Sequence, residues 1–312
     1  MNITILDKIL STMAPFGANG SLGELKLCGK SWRQLVEQRW QRNFGGSDDL
    51  TVTAELNFWP SEALLAQLHE VRGEFKVLDR EGRCVASGKN MPHLNALGID
   101  YHCQQNGGVS NCSKETAVFV VDSESLEVIY PWQLLDIQEM VLGDAQHGVI
   151  NGIVHESAVI NGNLDLGDGS ILLAGVYIMG NVVIGEGCQI GPNCFIRGCT
   201  AIGNNCRIGQ GAEIKNSIIM DDVKISHVSY IGDSIIGSGT DLGAGTMLAN
   251  FRHDGKSNFS KVDGKLIDTG RDHFGAIIGE NVHTGVNTSI YPGRKLSNNT
   301  FTRPGQIVDS DL

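Results

Sequence analysis

The chain has 312 residues, enough for one large domain or two ordinary ones, and carries a formal net charge of −11. An acidic chain exerts no general pull on nucleic acid or an anionic membrane, so neither is expected as a partner; a few local Lys and Arg can still hold an anionic small molecule. Forty glycines against seven prolines, with no three-residue period, indicate many tight turns and argue against collagen or a disordered linker.

In chain order, the stretch 1–16 holds Asp7 and Lys8 within its apolar residues and has no small-residue cleavage pattern, so no targeting segment is expected. No run of 18 apolar residues suggests a membrane span. The eight cysteines include no C-x-x-C pair and read as reduced thiols of a cytoplasmic protein. Residues 1–145 read as a small α/β domain. It has helices around 35–40 and over 60–71, the latter opening at Ser61. A hairpin follows over 75–86, then strands at 115–121 and 127–130. A helix over 131–142 leads onward. Neither G-x-x-x-x-G-K-[ST] nor G-x-G-x-x-G occurs.

From about residue 146 a period of six takes over. Val154, Ile160, Leu166, Leu172, Ile178, Ile184, Ile190, Ile196, Ile202, Ile208 and Ile214 recur at one spacing. Four positions after each aliphatic the residue is mostly small, as at Ala158, Ser170, Cys188, Cys194, Thr200, Cys206 and Ala212. Six matches neither the 3.6 of a helix nor the 2 of a long strand. It fits a parallel β-helix of triangular coils, with aliphatics stacked inside and Gly, Asn and Asp at the corners. The inward cysteines read as core packing. The register slips by one after Ile214, and a polar, basic break from about Asn250 to Phe274 interrupts it before it resumes at Ile278. That break reads as a long loop thrown out from one corner, and its length marks it as a candidate for function.

Several segments then follow in order: Glu213-Ile-Lys-Asn-Ser, His227-Val-Ser-Tyr-Ile-Gly-Asp, Leu242-Gly-Ala-Gly-Thr and Ala249-Asn-Phe-Arg. They are followed by Asp263-Gly-Lys-Leu-Ile-Asp-Thr-Gly-Arg and Ile278-Gly-Glu-Asn-Val-His-Thr-Gly-Val-Asn. Over roughly residues 150–308 the set resembles the acetyltransferase domain of the N-acetylglucosamine-1-phosphate uridyltransferase/glucosamine-1-phosphate acetyltransferase family, in particular its archaeal-type branch. The resemblance implies a left-handed β-helix, a homotrimer with active sites between subunits, and transfer of acetyl from acetyl-CoA to an amino-sugar 1-phosphate. It implies His227 as general base, Arg197 and Lys215 facing the sugar phosphate, and Tyr230, Asp241 and Asn250 in the sugar site. It places Ala244, Gly245, Val286 and Pro304 beside acetyl-CoA, and implies no metal ligand in this domain. Family members have asparagine where Asp241 stands and tyrosine where Phe251 stands. The chemistry suits these residue types. An amine must be neutral to attack a thioester, and histidine accepts a proton near neutral pH. Arg and Lys hold phosphate by charge-assisted hydrogen bonds.

The first half is the weaker match. Tyr130-Pro-Trp-Gln-Leu-Leu-Asp resembles the segment closing the family's nucleotidyltransferase domain, and Ser21-Leu-Gly-Glu-Leu-Lys-Leu-Cys-Gly-Lys-Ser its early sheet and helix. The glycine-rich, arginine-containing nucleotide loop is absent, so Mg²⁺ is expected only if this domain is active. The expectation is therefore mainly β: a left-handed parallel β-helix over 146–312, with a loop insertion at about 250–276, after a shortened nucleotidyltransferase-like domain over 1–145. Two other readings stand beside acetyl transfer: a sugar-1-phosphate nucleotidyltransferase, and a non-catalytic trimeric scaffold that binds nucleotide sugars. A zinc carbonic anhydrase on the same repeat would need a close histidine pair, and no H-x-x-x-x-H occurs among His147, His155, His227, His253, His273 and His283.

Overall fold

The computed structural model describes residues 2–6, 13–15, 26–27, 30–44, 50–71, 73–90, 116–121, 125–144 and 148–312. The predicted nucleotidyltransferase-like stretch 21–31 lies largely outside them, as do Cys28, Cys103, Cys112 and His147. The chain forms two compact units, in the main 32–128 and 129–312.

In the first unit, strands Asn2–Leu6, Leu50–Glu55, Cys84–Asn90, Gly73–Leu78 and Ala117–Val120 lie in that spatial order in one mixed sheet. The hairpin expected over 75–86 is the antiparallel pair Gly73–Leu78 and Cys84–Asn90. Helix α1 (Trp32–Phe44) and helix α2 (Glu62–Glu70) supply much of the core: Trp32, Trp40, Leu65 and Leu68 are fully buried. Ser61 caps α2 as expected, its Oγ accepting the Leu64 N–H at 2.9 Å. The strand expected over 127–130 is confined to Leu126–Glu127. The reason is the helix that follows, α3 (Gln133–Asp144). Gln133 Oε1 accepts the N–H groups of both Ile129 and Tyr130 at 2.8 Å, which draws those residues into the helix entry and out of the sheet.

Helix α3 counts with the second unit. Gln138, 1% exposed, donates to the backbone oxygens of Cys199 (2.7 Å) and Ser217 (3.1 Å) on two successive coils. The coils themselves make a parallel β-solenoid of about nine turns. Three inward columns fill it. Ile178, Ile196, Ile214, Ile231, Leu248 and Ile290 stack on one side, Leu172, Ile190, Ile208, Ile225 and Leu242 on the second, and Leu166, Ile184, Ile202, Ile219, Ile236 and Ile278 on the third.

The small inward position does more than fit a crowded space. Its side chain donates to a backbone oxygen at the same corner of the next coil: Ser170 Oγ to Gly185 O (2.6 Å), Cys188 Sγ to Gly203 O (3.0 Å), Cys206 Sγ to Met220 O (3.1 Å) and Thr240 Oγ1 to Gly279 O (2.8 Å). Ser170, Cys188, Cys206 and Thr240 each combine small volume with a donor that satisfies a buried carbonyl, while Val223 and Val282 fill the equivalent place in two other coils. Cys188, Cys194 and Cys206 are buried free thiols in the core.

The slip after Ile214 has a definite location. Strands Val159–Leu166, Tyr177–Ile184 and Phe195–Ile202 run unbroken around one corner, with partners 18 residues apart. Gly180 (φ 106) sits at that corner, where a Cβ would lie 2.8 Å from Gly198 O. One coil later the corner loses a residue, partners fall 17 apart, and the strand divides into Glu213–Lys215 and Ile218–Ile219. The long insertion leaves from this same corner. Phe274 N–H donates to Asn250 O at 2.9 Å and closes its base. The insertion is no bare loop: Phe259–Val262 and Lys265–Asp268 form a hairpin turning at Asp263-Gly264. Ser260 Oγ ties it to Gly293 O at 2.9 Å.

Candidate active site

Each coil turns at three corners, and two of them gather the sequence-predicted residues. At one, a ladder of backbone hydrogen bonds runs between equivalent positions. Val228 N–H donates to Gln210 O (3.0 Å), Gly245 N–H to His227 O (3.0 Å), Asn287 N–H to Ala244 O (2.8 Å) and Gly305 N–H to Val286 O (2.8 Å). His227, Ala244, Val286 and Pro304 are therefore one column at one edge of the solenoid, spaced by a coil, ~4.8 Å each. The His227 side chain is exposed, as are those of Val286 and Pro304, while Ala244 is half-buried. The residue after each turns through the left-handed region, Gly245 at φ 70 and Asn287 at φ 56.

At the corner where the register slips stand the other candidates. Arg197 and Lys215 pair in register on adjacent strands. Each has a carboxylate partner: Arg197 Nη2 lies 2.7 Å from Glu213 Oε1, and Lys215 Nζ lies 3.0 Å from Asp233 Oδ2. Asp233 is 1% exposed and turns the corner at φ 48. Its two oxygens also accept Asn250 Nδ2 at 2.5 Å and Asn216 Nδ2 at 3.3 Å. Asn250 Nδ2 and the Tyr230 hydroxyl both crowd Gly232, each 2.6 Å from where a Cβ on that residue would lie. Burial, and then the neighbouring charge of Asp233, push the Tyr230 phenol above its ordinary value, so it stays a neutral hydroxyl. Lys215, Asn216 and Asn250 thus meet on Asp233 with Tyr230 nearby, while Arg197 pairs separately with Glu213. Asp241 stands apart from them, in register between Lys224 and His283 on another face.

The network extends into residues to which the sequence reading gave no role. Arg271, from the end of the insertion, pairs with Asp136 and with Glu139 (2.6 Å) on α3. A cavity of about 350 Å³ is lined by Asp136, Glu139, Lys215, Asn216, Asp233, Arg271, Asp272 and His273. Glu213 and Asp233 were visible within the quoted motifs, and Arg271 within the basic loop. What the sequence lacked was any sign that α3, 132 to 135 residues earlier, supplies the counter-charges of Arg271.

Asp136 is out of balance in this arrangement. Burial holds its carboxyl above the usual range, against the pull of Arg271 and with the nearby Glu139 adding to the rise. A carboxyl raised in the folded state favours folding fully below its unfolded pKa, and that contribution is lost as pH rises through the folded value. At neutral pH the charged form is therefore held at a cost. Asp136→Asn is expected to leave the melting temperature at pH 7 unchanged or higher. Arg271→Ala, which strands two carboxylates, is expected to lower it; thermal melts of the two variants give the comparison.

The family described as the GMPPB C-terminal domain matches residues 178–306. A bifunctional sugar-1-phosphate nucleotidylyltransferase/acetyltransferase of Sulfurisphaera tokodaii is 36% identical over 202 residues, 64% of this chain and 50% of that protein. A bifunctional protein GlmU of Methanococcus maripaludis is 44% identical over 186 residues, 60% of this chain and 45% of that protein. The C-terminal part of this chain is homologous to these bifunctional proteins. The chain spans about half the length of the curated relatives it matches. Among solved structures, a UDP-N-acetylglucosamine acyltransferase of Francisella novicida covers 49% of this chain and 61% of its own, at 19% identity and a TM-score of 0.23, a likeness too slight to bear on function.

Proposed function

We propose that the β-solenoid unit transfers acetyl from acetyl-CoA to the amine of an amino-sugar 1-phosphate. The observation that carries this reading is the column of His227, Ala244, Val286 and Pro304 at one corner. A base and three donor-side residues, widely scattered in sequence, stand along one edge where an extended thioester arm can lie. His227 takes the proton of the acceptor amine as its nitrogen attacks the acetyl carbonyl. The C–N bond forms, the C–S bond breaks, and the CoA thiolate leaves and recovers a proton. Arg197 and Lys215 hold the sugar phosphate, and the neutral Tyr230 hydroxyl and Asn250 amide orient the sugar ring.

Two features of the chain shape this reading. His227 and Asp233 end opposite sides of one short strand, so the two corners are roughly 15–20 Å apart in a single chain. A working site joins the His227 corner of one subunit to the Lys215 corner of its neighbour, which is the reason to propose a homotrimer. The phosphate-facing bases are already paired with Glu213 and Asp233, so a phosphate must compete for them. A dianion succeeds where a neutral sugar does not, and the acceptor is accordingly a sugar phosphate.

Release of CoA from acetyl-CoA, measured at catalytic enzyme concentration with a no-acceptor blank, tests the reading. Glucosamine 1-phosphate or galactosamine 1-phosphate is expected to turn over, and the corresponding unphosphorylated amino sugars at least ~100-fold less efficiently, a loss of ~2.7 kcal/mol. No turnover with any amino-sugar phosphate would sink it.

A further inference from the structure

At the His227 corner the residue following the column takes left-handed backbone in coil after coil: Gly175, Asn193, Gly211, Val228, Gly245, Asn287 and Gly305, with φ between 54 and 70. Six of the seven are glycine or asparagine, the residues that tolerate this region. Val228 (φ 56) is β-branched, and in that backbone its two methyls crowd the adjoining peptide groups. Burial within the chain does not offset the strain, since the side chain is 64% exposed. Its neighbours in the column show that asparagine or glycine would serve the turn. A strained residue held in an otherwise regular column invites a functional explanation.

Its position supplies one. Val228 directly follows His227, and the coil above presents Ala244-Gly245 at the same corner, ~4.8 Å away. The exposed Val228 therefore lies beside the proposed base and one coil from Gly245, the neighbour of the first proposed donor-side residue. We infer that Val228 is an acyl-contact residue. Its methyls form the apolar wall against which the short acyl group of the thioester rests while His227 receives the amine proton. The inference rests on the acetyl-transfer reading and adds to it the residue that limits acyl length. A branched wall leaves room for two carbons; removing it opens the site to longer chains.

The test uses the full chain carrying Val228→Asn or Val228→Gly, each a residue this column already employs. Melting temperature, assembly mass by light scattering, and kcat/KM with acetyl-, propionyl- and butyryl-CoA are compared with wild type. The expected result is a melting temperature unchanged or raised by ~2–4 °C, an unchanged assembly mass, and a preference for acetyl over butyryl that falls at least ~10-fold. An active wild type whose acyl preference survives both substitutions would overturn the inference while leaving acetyl transfer intact. A drop in melting temperature, or a smaller assembly, would also overturn it, since Val228 would then be a packing or interface residue. A wild type inactive with every acceptor would remove the acetyl-transfer reading and this inference with it.

Discussion

His227→Ala is expected to reduce acetyl transfer by ~10²–10⁴-fold while the melting temperature stays within about 2 °C of wild type. The separation of the two effects follows from where His227 stands. Its structural contribution is its backbone: its carbonyl accepts the Gly245 N–H at 3.0 Å, and its peptide continues the corner ladder. Alanine keeps both. The imidazole is exposed and contributes nothing to the packed columns of aliphatics, so its removal leaves no cavity. What disappears is the group proposed to accept the amine proton. KM for the sugar phosphate should change little, because Arg197 and Lys215, the proposed phosphate ligands, stand at another corner. A variant with near-normal turnover would exclude His227 as the base. A variant that melts well below wild type would show that its ring has a structural partner in the assembly.

The solenoid was legible because its physics is written at short range. Each coil repeats the same inward aliphatic, so Ile196 or Ile214 can be assigned inward from spacing alone, and the slip after Ile214 appears as one missing residue at a corner. The column at the His227 corner follows from the same arithmetic once the 250–274 insertion is removed. The site at the other corner was only half legible. Lys215 and Asn250 stand in recognisable motifs, but their common partner Asp233 was quoted without a role, since no periodicity says which corner carboxylate turns inward. The clamp of Arg271 onto Asp136 and Glu139 joins segments far apart in sequence, and spacing rules do not reach so far. In the first unit, strands Asn2–Leu6 and Leu50–Glu55 went unread, because a mixed sheet is specified by long-range pairing and not by a repeated local pattern.

Asp233 is where fold and site meet, and replacing it should disturb both. Its buried carboxylate accepts from Lys215, Asn216 and Asn250 with two oxygens. Asp233→Ala leaves an ammonium and two amides facing one another without their acceptor. Breaking a buried ion pair from one side costs roughly 3–5 kcal/mol, which for a unit of this size is a fall in melting temperature on the order of 10 °C. Part of that loss is backbone strain, because alanine is disfavoured at φ 48. Asp233→Gly separates the parts: the difference between the Gly and Ala variants reads the backbone, and what remains reads the carboxylate. Asp233→Asn tolerates the turn, as Asn216 does at the equivalent position with φ 46. It restores one acceptor but sets an amide donor against another, and should fall between wild type and Gly. In the Asn variant, which stays folded, KM for the sugar phosphate should rise by an order of magnitude or more, through a Lys215 and an Asn250 no longer held in place. KM for acetyl-CoA should not follow, because Ala244, Val286 and Pro304 stand at the other corner. Equal rises in both constants would mean that Asp233 supports the coil as a whole and has no particular hold on the acceptor side. A melting temperature unchanged in the Gly variant would mean that water replaces the carboxylate at no cost.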